Sequence, residues 1–120
     1  MDFKEHTSYY GTQLPKPVWI TETGATSSPS NRHPSATQKT QAEEVVKRTV
    51  MGIATGAEKV FWHKLQGVSE EDTTFGVLTG DFTRKLSYYT YKKMVEILEG
   101  SDWNNIQTIQ EKDGIYLYRF

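Results

Sequence analysis

Two short runs, Val18-Trp19-Ile20-Thr21 and Val60-Phe61-Trp62-His63, are β-branched and aromatic, and each leads through a polar loop into a stretch with helical apolar spacing. Strand, loop and helix thus follow one another twice, and that order constrains the fold more than any other feature of the chain. Strands alternating with helices belong to parallel βα units, whose crossovers are right-handed. In such folds the loops leaving the C-terminal ends of the strands carry the chemistry. Both long loops of this chain leave those ends.

The first strand is expected over residues 18–22, followed by a polar loop as far as Pro34. Ser35-Ala36-Thr37-Gln38 has capping-box spacing, with Ser35 placed to accept from the Gln38 amide. Ala42, Val45, Val46, Thr49, Val50, Ile53 and Ala54 then recur at helical spacing, and Gly56 stands where a helix would stop. A helix is therefore expected over residues 36–55. A second strand is expected over 59–64, and a loop from Leu65 to about Arg84 carries the acidic cluster Glu70-Glu71-Asp72. A second helix is expected over 86–99, with Tyr88, Tyr91, Met94, Val95 and Leu98 on one side and Gly100 at its end. Further on, Ile106–Ile109 and Ile115–Phe120 flank Lys112-Asp113-Gly114, the pattern of a β-hairpin. A helical turn is expected around Phe3–Tyr10. The chain so divides into an α/β part, residues 1–100, and a hairpin, residues 101–120.

Composition removes several classes of function. The length of 120 residues suits one small domain. With 14 basic and 15 acidic side chains there is no cationic excess to attract a phosphate backbone, so nucleic acid is not an expected partner. Cysteine is absent, which excludes disulfides, thiol catalysis and cysteine-ligated metal. No apolar run reaches the ~20 residues of a membrane span, and the first 30 residues lack the apolar core of a signal peptide. His6, His33 and His63 show no metal-ligand spacing, so no metal is assigned. Glu70-Glu71-Asp72 reads as a solvated loop, because calcium needs more oxygen ligands in register. No phosphate-binding glycine loop or nucleophile elbow is present, and no cofactor is expected.

Glu22 is the first candidate for chemistry. It closes a short apolar strand between two threonines and precedes Gly24. Carboxylates seldom lie in such places unless paired or hydrogen-bonded, and one that does is positioned as a nucleophile or base. The plainer alternative is that Glu22 caps a loop amide or meets a surface lysine. Trp62 and Lys64 come next. Strand alternation puts them on one face and Phe61 and His63 on the other. An indole face suits the apolar C–H surface of a pyranose ring, while the plainer alternative is a core tryptophan. His63 reads as a hydrogen-bonded structural residue.

Lys16-Pro17-Val18-Trp19-Ile20-Thr21-Glu22-Thr23-Gly24 resembles the seventh-strand motif of the retaining glycoside hydrolases of clan A, the (β/α)8-barrel group. The following phrases agree in order. Gln41–Ala54 is similar to helix seven, and Gly56-Ala57-Glu58-Lys59-Val60-Phe61-Trp62 to strand eight. Thr74-Phe75-Gly76-Val77-Leu78 resembles the recurring phrase of the eighth loop. Arg84-Lys85-Leu86-Ser87-Tyr88-Tyr89-Thr90-Tyr91 is similar to the start of helix eight, without that family's two prolines. The run from Gly114 to Phe120 resembles the first strands of a trailing β-sandwich.

The resemblance implies an α/β fold consisting of a partial TIM (β/α)8 barrel, about two βα units, with a C-terminal β-hairpin. It implies Glu22 as catalytic nucleophile, Trp62 as a sugar-platform residue and Lys64 near the same subsite. The implied partners are a carbohydrate substrate and either the missing barrel segments or further copies of this chain, four of which would supply eight strands. The family's acid/base glutamate follows an asparagine on strand four, and this sequence contains no Asn-Glu dipeptide. A chain with the nucleophile and without the acid is expected to be inactive alone. The alternative is a carbohydrate-binding or assembly module that keeps the sugar platform and no catalysis.

Overall fold

A computed structural model of the chain describes residues 17–67 and 74–120. β1 (Trp19–Thr23) leads to α1 (Gln38–Ala54), β2 (Lys59–Trp62) and α2 (Leu86–Leu98), followed by β3 (Gln107–Lys112) and β4 (Ile115–Arg119). The described residues form a mixed α and β fold of two helices and four strands in two small sheets. β1 and β2 pair parallel, with α1 as the connection between them, and β3 and β4 pair antiparallel. The helical turn expected around Phe3–Tyr10 and the cluster Glu70-Glu71-Asp72 lie outside the described residues.

α1 lies on the β1–β2 sheet, and its sequence explains how closely. A Cβ at Gly52 would stand 2.9 Å from Ile20 Cδ1 and 3.0 Å from Val60 Cγ2. The glycine lets the helix axis approach the strands to contact distance, at a modest cost in helix propensity. Ala42, Val45 and Ile53 are buried along the same helix, and α2 packs beside it with Met94 buried. Ala57 and Val77 complete a small core. Several large apolar residues remain outside it, with Trp19 50% and Phe61 49% exposed. Lys59 covers one side of Trp19, its Nζ 3.9 Å from the ring centroid.

The element boundaries differ from those expected, each for a local reason. β1 starts one residue later and ends one residue later than 18–22, because Val18 already gives its carbonyl to the Glu58 amide below the sheet and Thr23 still pairs with Trp62. The first helix begins at Gln38 and not at residue 36, because Thr37 and not Ser35 is its cap. Thr37 Oγ1 accepts from the Thr40 amide at 3.1 Å, and Thr40 Oγ1 accepts from the Thr37 amide at 2.7 Å. Gln38, relieved of capping its own helix, serves the other one, and its Oε1 accepts from the Leu86 amide at 3.2 Å. That bond satisfies an orphan donor at the start of α2, where Lys85 supplies no side-chain cap.

β2 ends at Trp62 and does not reach residue 64. The carbonyls of Lys64 and Leu65 are taken by the amides of Val77 and Leu78, so the returning loop occupies the edge a longer strand would need. α2 stops at Leu98 and not at 99, since Glu99 is extended (φ −60°, ψ 128°) and Gly100 turns at φ +81°. The hairpin runs over 107–112 and 115–119, with a two-residue turn in place of the expected three. Asp113 (φ +56°) and Gly114 (φ +74°) both adopt left-handed backbone, the signature of the tight turn that Asp-Gly favours.

Candidate functional site

The site residues are placed by an irregularity in β1. Ile20 pairs with Val60 and Thr23 pairs with Trp62. Thr21 and Glu22 therefore stand opposite the single residue Phe61, and β1 carries one residue more than its partner. An extra residue of this kind re-aims the side chains around it. Ile20 and Thr23 both turn toward α1, Ile20 beside Gly52 and Thr23 Oγ1 accepting from Arg48 Nη1 at 3.4 Å. Thr21 and Glu22 are both exposed. Among the described residues Glu22 makes no hydrogen bond and no ion pair.

Just past Glu22 the two strand ends come together. His63 donates its amide to the Thr23 carbonyl at 2.7 Å, and its ring lies 5.9 Å from that of Phe75. The His63-Lys64 peptide is cis. A Cβ at Gly24 would stand 2.4 Å from the His63 carbonyl oxygen, a backbone atom that cannot swing aside. Gly24→Ala is expected to force the strand ends apart and to destabilise the fold by about 1–3 kcal/mol. A denaturant titration followed by tryptophan fluorescence checks this, and an unchanged midpoint would refute it.

Trp62 and Lys64 line one groove, and Phe61, which alternation would put on the opposite face, lines it with them. It has a volume of about 620 Å³ and runs between β2 and α2, with Val60, Tyr88, Tyr91 and Val95 among its walls. Trp62 is half-buried there, and its indole N–H is buried without a hydrogen-bond partner among the described residues. Glu22 is not among the residues that line this groove. The structure thus brings two of the three predicted site residues into one cavity and leaves the third on the exposed side of β1. Tyr88 and Tyr91, which the sequence pattern assigns to helix packing, join Trp62 in that cavity. Their i, i+3 spacing is visible in the sequence, but nothing in it shows which neighbour the stripe will face.

The loops above the strands are tied by a residue that the sequence pattern does not single out. Gln41 is fully buried. Its Nε2 lies 2.9 Å from the Ala25 carbonyl, 3.0 Å from that of Thr74, 3.1 Å from that of Phe75 and 3.3 Å from that of Gly76. Its Oε1 accepts from Ser87 Oγ at 2.8 Å. One amide therefore joins the loop after β1, the loop after β2 and the first turn of α2. The one available signal is a glutamine four residues before Val45, on the stripe that faces inward.

Lys85 adds a second tie. Its side chain is largely buried and donates to Ser27 Oγ at 3.0 Å. Burial penalises the ammonium and pushes its pKa below the ordinary lysine value of 10.5. The unfolded chain then binds more protons than the folded one between the lowered value and 10.5, so this residue makes stability rise with pH across that interval and level off above it. The difference in stability between the wild type and Lys85→Met, followed by denaturant titration at stepped alkaline pH, should show that slope. Taking the difference removes the opposing effect of Tyr118, whose pKa is pushed from 10.0 up to about 12 mainly by burial and which lowers stability as the pH climbs between those two values.

Among the described residues no three histidine, aspartate or glutamate side chains cluster as a metal site, and no helix is long and apolar enough to cross a membrane. The chain matches no family model, no curated protein and no solved structure.

Proposed function

We propose that the chain is the C-terminal quarter of a (β/α)8-barrel retaining glycoside hydrolase, with Glu22 as the nucleophile. The observation that carries this reading is the ordered series of motifs: the strand phrase ending in Thr21-Glu22-Thr23-Gly24, the strand phrase ending in Trp62, Phe75-Gly76-Val77, and Lys85-Leu86-Ser87-Tyr88-Tyr89. The exposed carboxylate near the end of β1, which makes no hydrogen bond or ion pair among the described residues, suits the role. In the proposed reaction a Glu22 oxygen attacks the anomeric carbon and the bond to the leaving oxygen breaks, which gives a glycosyl ester on Glu22. Water then hydrolyses that ester. The reaction also needs a second carboxylate about 5–5.5 Å away to protonate the leaving oxygen. In this reading that group comes from barrel segments outside the sequence, and Trp62 and Lys64 belong to the sugar subsite.

The test uses glycosides whose leaving group needs no proton. Incubation with a panel of 2,4-dinitrophenyl glycosides should add one glycosyl group to the chain, mapped to Glu22 by intact-mass and peptide analysis. Glu22→Gln should abolish the adduct. Labelling that persists in that variant, or none with any sugar of the panel, would overturn the nucleophile assignment.

A second reading, a carbohydrate-binding or assembly module without catalysis, is favoured by one observation: the groove shared by Trp62 and Lys64 does not include Glu22. Saccharide titration of tryptophan fluorescence separates the two. Binding that is lost in Trp62→Ala and kept in Glu22→Gln supports the module, whereas equal loss in both supports one catalytic subsite.

A further inference from the structure

We draw no further inference here: the strongest candidate, the apolar groove between the outer edge of β2 and the Tyr88-Tyr91-Val95 stripe of α2, carries nothing because nothing in the structure shows what covers it.

Discussion

Gln41→Leu is expected to lower the stability of the fold by about 2–4 kcal/mol, enough to leave a domain of this size near its unfolding threshold. The Thr74 carbonyl also accepts from the Ser27 amide and from Ser27 Oγ, so it keeps partners when Gln41 is lost. Among the described residues, the Ala25, Phe75 and Gly76 carbonyls rely on Gln41 Nε2, and the Ser87 hydroxyl relies on Gln41 Oε1. Leucine fills much the same volume and donates nothing. It would strand several buried polar groups at about 1–3 kcal/mol each, offset in part by apolar burial. Gln41→Glu should be worse at neutral pH, since a carboxylate would face a ring of carbonyl oxygens, and acidification should recover part of the loss by restoring a donor. Thermal unfolding of the three proteins checks the order wild type, leucine, glutamate. A leucine variant within about 0.5 kcal/mol of wild type, the spread of ordinary surface substitutions, would show that these carbonyls find water instead.

The second large effect follows from the proposed chemistry. With a nucleophile and no acid, the chain should discriminate steeply by leaving group. General acid catalysis contributes typically about 10²–10⁴-fold, and all of that contribution is withheld from a substrate whose leaving oxygen must be protonated. A dinitrophenolate departs as the anion and does not need the proton. The ratio of dinitrophenyl to alkyl glycoside rates should therefore exceed the ratio for a glycosidase that retains its acid by about 10²–10⁴. Single-turnover adduct formation with matched sugars measures it. Equal treatment of the two leaving groups would mean either that a proton donor is present within the chain or that Glu22 does not attack.

Much of the fold is legible in the sequence. β-branched and aromatic runs place both parallel strands to within two residues at their ends, and the apolar period places both helices. The misplacements at the start of the first helix and the end of β2 share a physical cause, since both are decided by hydrogen-bond partners that composition and period do not reveal. Thr37 and not Ser35 caps the first helix, and Gln38 serves the start of the other helix instead. β2 stops early because residues 77 and 78 claim the carbonyls of Lys64 and Leu65. The extra residue in β1 exists only relative to β2, so no inspection of Trp19–Thr23 alone could show that Thr21 and Glu22 share an exposed face. Gln41 escapes detection because a polar residue within an apolar stripe gives no hint of which carbonyls it will find.

Among the described residues the hairpin formed by β3 and β4 packs on itself and makes no more than marginal contact with the other helices and strands. Isolated two-stranded hairpins are marginally stable in water. The hairpin is therefore expected to open while the α/β part stays intact, so that loss of structure is not a single cooperative event. All three tryptophans, Trp19, Trp62 and Trp103, lie outside the hairpin strands, whereas Tyr116 and Tyr118 lie within them. Indole emission consequently follows the part of the chain that holds Glu22 and Trp62, and tyrosine signals include the part that frays first.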